Sequence, residues 1–285
     1  MRPDYITKGF LDQFIHSALT EDIGEGDHST LAAIPPDVTK RAQLLVKDDG
    51  ILAGVELAEQ IFLTFDPTLK LALQLRDGSP IHKGDIAFTI EGSAQSILTT
   101  ERLVLNCMQR MSAIATKTNH LNTLIAGTSA KLLDTRKTTP NFRLLEKWAV
   151  LLGGGYNHRI GLFDMIMLKD NHIDMAGGIE KAIIRTKDYL RARNKNLKIE
   201  IETRSLEEVK EVIRVGGVDT IMLDNMDMET LKKAVALIGD VYKTEASGGI
   251  TEETIRDIAA CGVDFISVGA LTHSIKSLDL SLKAF

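Results

Sequence analysis

Cysteine is nearly absent: the chain has two in 285 residues, Cys107 and Cys261, far apart and outside any Cys-x-x-Cys pattern. That excludes a disulfide framework and a zinc module, and it favours a reduced, cytoplasmic compartment. Proline is sparse at 6, and the 22 glycines follow no period, so collagen-like and low-complexity classes are excluded. No run approaches the ~18 uninterrupted apolar residues of a membrane-spanning helix. The opening segment MRPDYITKGFLDQF lacks the basic-then-apolar order of a secretion signal. An excess of cations is lacking too: 34 Lys and Arg stand against 39 Asp and Glu, a net charge of −5. A surface built to coat a polyanion is therefore disfavoured, although a local basic pocket is not. What remains is ordinary globular composition, with 44% hydrophobic, 26% charged and 5% aromatic residues. The length suits about two domains.

The first third differs in pattern from the rest. A helical start around Leu11 to Leu19 is followed by an apolar run closed by glycines (42–54), then by LALQLRDG and DIAFTIEG, whose alternation predicts short strands and hairpins. Residues 1–95 thus read as a small mixed domain with an antiparallel sheet. Across 97–126, Leu103, Cys107, Met111, Ile114, Thr118, Leu121 and Ile125 recur at helical steps and predict one long helix. From 131 onward the pattern is strand, loop, helix. Strands are expected at 131–135, 165–169, 198–202, 220–224, 241–246 and 265–270, with helices such as 143–152, 206–213 and 251–262 between them. Apolar strands alternating with helices predict a parallel sheet covered by helices. Six units are too few for a full eight-fold barrel, so an incomplete barrel and an open sheet both fit.

In such folds the carboxyl ends of the strands carry the site. Here every strand ends in a polar or glycine cluster: Asp134-Thr135-Arg136-Lys137, Lys169-Asp170-Asn171-His172, Glu200-Ile201-Glu202, Asp224-Asn225, Glu245-Ala246-Ser247-Gly248-Gly249 and Gly269-Ala270. Arg136, Lys137 and Lys169, with His158-Arg159 just upstream of the second strand, suit carboxylate or phosphate. Glu202 and Asp224 are hard oxygen ligands of the kind Mg²⁺ takes beside substrate phosphates. Ser247-Gly248-Gly249, before a helix expected near Thr251, and Gly269-Ala270 are candidate phosphate turns. Gly153-Gly154-Gly155 serves to cap the preceding helix. His158 and His172 lack metal-ligand spacing to another His or Cys, so zinc is not expected. The residues alone describe a barrel-like enzyme for a small, highly anionic, phosphorylated substrate with a divalent metal.

Asp134-Thr135-Arg136-Lys137-Thr138-Thr139-Pro140, Arg143-Leu144-Leu145-Glu146-Lys147, Gly153-Gly154-Gly155-Tyr156-Asn157-His158-Arg159 and Leu168-Lys169-Asp170-Asn171-His172 together resemble the quinolinate phosphoribosyltransferase family. The likeness extends to Glu101-Arg102, Leu105-Asn106, Leu223-Asp224-Asn225, the Glu245–Gly249 run and Val268-Gly269-Ala270, and covers nearly the whole chain in order. It implies an α/β fold: an incomplete, seven-stranded α/β barrel at 113–271, and an N-terminal mixed α+β domain at 1–112 joined by the C-terminal segment 272–285. It implies transfer of phosphoribose from phosphoribosyl pyrophosphate to quinolinate with decarboxylation, giving nicotinate mononucleotide for NAD synthesis. On this resemblance Lys137, Lys169, Glu202 and Asp224 are catalytic. Arg102, Thr135, Arg136, His158, Arg159 and Lys169 hold substrate, and Glu202 and Asp224 hold Mg²⁺ and the ribose hydroxyls. Ser247-Gly248-Gly249 and Val268-Gly269-Ala270 take the 5′-phosphate. Arg102 enters from a neighbouring subunit, which implies a homodimer, with a trimer of dimers as a further assembly. Two positions depart from the family, which often has glycine where this chain has Ala113 and Asn141. The competing readings are a molybdate-transport-associated pyrophosphorylase-like protein, a Schiff-base lyase using Lys169, and a sugar-phosphate sensor.

Overall fold

The protein is described here by a computed structural model, which covers residues 2–285. In chain order the elements are α1 (Lys8–Ile23), α2 (His28–Ala33), β1 (Thr39–Val46), β2 (Gly50–Ile51), α3 (Val55–Phe65), β3 (Lys70–Leu73), β4 (Pro80–Ile81), β5 (Ile86–Ser93) and α4 (Ala94–Leu124). The second half continues with β6 (Lys131–Leu133), α5 (Arg143–Leu152), β7 (Ile166–Leu168), α6 (Asp170–Ala176), α7 (Ile179–Ala192), β8 (Ile199–Thr203), α8 (Leu206–Val215) and β9 (Thr220–Asp224). It ends with α9 (Met228–Ile238), β10 (Lys243–Ser247), α10 (Ile255–Ala260), β11 (Phe265–Ser267), α11 (Ala270–His273) and β12 (Leu280–Ala284). No helix among the described residues is long and apolar enough to cross a membrane.

Two compact units emerge. The first takes the chain through Asn119, then Thr138–Gly154 and Ala270–Phe285. Its antiparallel sheet has the order β12-β1-β5-β3, so the C-terminal strand pairs with β1. Ala42, Leu44 and Val46 alternate inward along β1, the period of a half-buried strand. The segment after Gly54, left without an element by the sequence reading, forms α3. Its Leu57, Ala58, Ile61 and Phe62 make one buried face, and Phe62 meets Phe88 of β5 edge-on at 6.0 Å between centroids. Asp77 caps this helix, accepting from the Val55 and Glu56 N–H groups at 2.8 and 3.1 Å.

Residues 113–119 of α4 and the whole of α5 fall in the first unit. A Cβ at Gly153 would lie 2.3 Å from the Ala115 carbonyl oxygen, so the end of α5 approaches the α4 backbone as closely as glycine allows. Buried Glu146 of α5 pairs with Arg110 of α4 at 2.8 Å and also accepts from the Thr139 N–H and hydroxyl. Asn141 has φ +62°, a left-handed conformation that asparagine tolerates, which accounts for its standing where the family often has glycine. Ala113 is buried within α4.

The second unit takes His120–Lys137 and Gly155–Gly269. All its strands are parallel, in the order β6-β11-β10-β9-β8-β7. Six strands are present, not the seven implied by the resemblance. Beyond β6 the ladder continues only as a single parallel bridge between Leu133 and Tyr156. The Asn157–Asp164 stretch that follows is drawn into turns, with Asp164 accepting from the Ile160 and Gly161 N–H groups, so its backbone is not available to a ladder.

Candidate active site

The register of the sheet sorts the chemistry. Residues paired across parallel strands share a face, and so do alternate residues along each strand. Met167 pairs with Glu200, Glu202 with Met222, Met222 with Glu245, Asp224 with Ser247 and Ser267 with Leu133. One face therefore carries Glu200, Glu202, Asp224, Glu245 and Ser247, and Lys169 extends the Met167 row one step past the end of β7. The opposite face carries Ile166, Leu168, Ile199, Ile201, Ile221, Leu223 and Ile266, the apolar set. The strand ends Lys169, Glu202, Asp224 and Ser247 fall at one edge of the polar face.

Several cations belong to these strand ends. Burial, then repulsion from the neighbouring Arg136, lowers the Arg159 guanidinium pKa from its usual value, and Glu200 and Asp164 offset this in part. Two guanidinium groups close enough to repel are a ready receptor for an anion. Arg159 also donates to the Met165 carbonyl at 3.2 Å, which fixes its direction. Lys137 is exposed, and its N–H donates to the Thr135 hydroxyl at 3.0 Å in a tight turn. Lys169 Nζ is half-exposed and lies 3.5 Å from Glu202 Oε2.

Glu202 is held by two opposing influences. Burial raises its carboxyl pKa, with Asp224 and Asp170 adding repulsion, while Lys169 pulls it down. A buried carboxylate that repels its acidic neighbours, beside a half-exposed lysine, is the electrostatic situation a hard divalent cation relieves.

His158 lies below this layer. It is buried, with Nε2 3.0 Å from Glu200 Oε2 and 3.5 Å from Glu245 Oε2. The ligand atoms of the three residues lie within 4.8 Å of one another, so the structure brings His158 to two carboxylates although sequence spacing gave it no partner. Burial lowers the imidazole pKa, but Glu200 and Glu245 outweigh it and push it up to about 9. The Arg159 N–H meets His158 Nδ1 at 2.6 Å, and that contact needs a lone pair on Nδ1. In the neutral ring the proton sits on Nε2 toward Glu200; the second proton, which burial resists and the acids favour, takes up Nδ1 and displaces the Arg159 N–H. Asp134, one of the strand-end residues expected from sequence, is fully buried. It accepts from the His158 N–H at 2.8 Å and the Asn157 amide at 2.6 Å, so it positions His158 and does not line the edge.

The glycine turn follows β10. Gly248 and Gly249 have φ of +92° and +60°, left-handed conformations that glycine adopts without strain. The helix expected near Thr251 begins only at Ile255, because Thr254 bonds back to the Thr251 N–H and holds the intervening residues in turns. A turn, not a helix end, therefore follows Gly249. Val268 donates to the Leu133 carbonyl at 3.0 Å, so the last strand end is tied to the first. Gly269 closes the second unit, whereas Ala270 opens α11 in the first. Arg102 also belongs to the first unit, exposed on α4.

Four residues of the strand-end clusters have no role assigned from sequence: Glu200, Glu245, Asp134 and Asn225. For Glu200 a signal existed, since it stands at an alternate-residue spacing from Glu202 in a strand.

A helix-covered parallel sheet whose strand ends carry cations, two neighbouring acids and a glycine turn is the arrangement of an α/β enzyme for anionic, phosphorylated ligands. Comparison with known proteins narrows this. Residues 27–112 match the quinolinate phosphoribosyl transferase N-terminal domain and residues 114–283 its C-terminal domain. The chain is 50% identical over 288 residues to the chloroplastic nicotinate-nucleotide pyrophosphorylase (carboxylating) of Arabidopsis thaliana, covering 96% of this chain and 82% of that one. It is 41% identical to the probable nicotinate-nucleotide pyrophosphorylase (carboxylating) of Bacillus subtilis, covering 95% and 92%. The crystal structure of NadC from Streptococcus pyogenes superposes with a TM-score of 0.92 at 40% identity, covering 98% and 97%. The chain belongs to the quinolinate phosphoribosyltransferase family.

Proposed function

We propose that this protein transfers phosphoribose from phosphoribosyl pyrophosphate to quinolinate and decarboxylates the product, yielding nicotinate mononucleotide, pyrophosphate and CO₂ for NAD synthesis. The observation that carries this is the set of groups at these strand ends: Arg136 and Arg159 repel one another near Glu200, Lys169 pairs with Glu202 beside Asp224, and the Gly248-Gly249 turn follows β10. A dicarboxylate and a phosphorylated sugar need that combination of groups.

Quinolinate presents two adjacent carboxylates. Arg136, Arg159 and Lys169 bind them, His158 braces Arg159 from below, and Thr135 shapes the turn that presents Lys137. Arg102 completes the cradle from the partner subunit of a homodimer, and three dimers associate into a hexamer. The 5′-phosphate rests on Ser247-Gly248-Gly249 and Val268-Gly269-Ala270. Glu202 and Asp224 orient the ribose hydroxyls and, as hard oxygen donors, are the residues that would hold Mg²⁺. When bound, that ion supplies positive charge to the pyrophosphate.

The chain's own residues then act by alignment and charge. Held in line, the pyridine nitrogen attacks ribose C1 as the C1–oxygen bond breaks, and pyrophosphate leaves with the bonding pair. Lys137 and Lys169 stabilise the charge that develops on the departing oxygens. The alkylated nitrogen is now cationic. The C2–carboxylate bond breaks, CO₂ leaves, the electron pair stays at C2 beside that cation, and a proton completes the product. No organic electron sink is required.

We read the Leu133–Tyr156 bridge as the seventh stave of an incomplete barrel. A cytoplasmic setting is supported by Cys107 and Cys261, both unpaired thiols; relatives in plants are described as chloroplastic or mitochondrial. The test is direct turnover with quinolinate, phosphoribosyl pyrophosphate and Mg²⁺, assaying nicotinate mononucleotide and CO₂ with nicotinate as the parallel substrate. Product from quinolinate alone supports the reading. No product while phosphoribosyl pyrophosphate still binds overturns it in favour of a sensor or the molybdate-linked relative.

A further inference from the structure

Asn225 follows the last residue of β9 and contacts both Asp224 and the glycine turn. Its φ of +51° is left-handed, which asparagine adopts at lower cost than other side-chain-bearing residues. In that conformation its backbone N–H donates to the Ser247 carbonyl at 2.9 Å, joining the ends of β9 and β10. Its side-chain amide turns back and donates to Asp224 Oδ2 at 2.6 Å. The direction of the amide is settled by chemistry, because a carboxylate only accepts. The amide oxygen consequently lies toward Gly248, where a Cβ would come within 2.3 Å of it. Gly248 is thus required twice, by its own φ of +92° and by the Asn225 side chain beside it.

We propose that Asn225 is a positioning residue that couples the Asp224 carboxylate to the Ser247–Gly249 turn. One Asp224 oxygen is occupied by the amide, which fixes the plane of the carboxylate and leaves its other oxygen for ligand. The same amide packs against the turn that receives the phosphate. The ribose end and the 5′-phosphate end of one substrate are thereby held at a set spacing by a single side chain. This inference rests on the assignment of phosphoribosyl pyrophosphate to this edge of the sheet.

Asn225→Gly separates the side chain from the backbone, since glycine keeps the left-handed turn and the N–H to Ser247 while removing both amide contacts. Asn225→Asp keeps the shape but sets a carboxylate against Asp224. For Asn225→Gly the expected result is a KM for phosphoribosyl pyrophosphate raised about tenfold, with the KM for quinolinate changed less than about twofold. Calorimetric binding of phosphoribosyl pyrophosphate with Mg²⁺ weakens by the same factor, and Tm stays at the wild-type value. Asn225→Asp shows a larger loss in the same direction. Equal losses for both substrates, or a fallen Tm with unchanged phosphoribosyl pyrophosphate binding, overturn the positioning role. Wild-type protein that fails to bind phosphoribosyl pyrophosphate overturns the site assignment itself, and the proposal with it.

Discussion

His158 Nε2 lies 3.0 Å from Glu200 Oε2, a buried contact that is an ion pair when the imidazole is protonated, with Glu245 as a third member. The pH dependence of this trio has one sign. The acids outweigh burial and push His158 up to about 9, and burial raises Glu200 further than the imidazole lowers it. Each shift means that the folded protein holds a proton more tightly than the unfolded chain. The stabilisation from His158 is complete below the unfolded pKa of about 6.5 and is lost as pH rises through about 9. Thermal unfolding should therefore show a decline on the order of 1–3 kcal/mol between those limits. Glu245→Gln should flatten it. An equally steep decline in that variant would remove the trio as its source.

Gly153→Ala should destabilise the protein by about 1–3 kcal/mol, because the new methyl meets the Ala115 carbonyl and the Thr118 side chain, neither of which can retreat within α4. Gly9→Ala is the matched control, with open space around its Cβ in α1, and should gain about 0.5 kcal/mol. Denaturant midpoints of the two variants moving together would contradict the packing argument.

Glu146→Ala should cost about 3 kcal/mol. It strands the partly buried Arg110 guanidinium and two donors of Thr139 at once. Urea unfolding measures this directly, and a loss below about 1 kcal/mol would show that water replaces the carboxylate.

Arg136→Ala should lower kcat/KM for quinolinate by several kcal/mol of transition-state stabilisation, roughly a thousandfold, since a substrate carboxylate loses its bidentate partner. Unchanged kcat/KM would take Arg136 out of the cradle.

Mixing inactive Arg102→Ala with inactive Lys137→Ala should restore part of the activity if Arg102 acts across a dimer. The check is turnover after subunit exchange has been verified by mass. No recovery would mean that each subunit builds its own site.

Much of this architecture was legible in sequence. All six strands of the parallel sheet were placed to within two or three residues, because a buried strand flanked by helices reads as a short apolar run. Helix α5 was located at its observed bounds and α4 to within three residues. Helix α3 was not assigned, since VELAEQIFLTF follows a glycine-closed strand without a polar N-cap, and Asp77, more than 20 residues away in sequence, supplies the cap. Strand-end acids such as Glu202 and Asp224 were visible because loops expose polar residues. Glu200 and Glu245 stand in the same clusters, but their role is not legible there, because the partner that makes them a unit, His158, comes from a different loop. Asn225 was seen as part of a motif, but its role depends on a left-handed turn and a glycine on the next strand, neither of which a linear reading supplies.

The alternation of the sheet makes this half of the chain more sensitive to length than to composition. Deleting or inserting one residue within β8 or β9 would rotate every later position of that strand by half a period. Glu202 or Asp224 would then be driven into the helix-covered side, and an isoleucine or leucine would take its place at the edge. Such a change would lose fold and chemistry together, whereas the turns between α7 and β8 or between α9 and β10 could lengthen without moving either face.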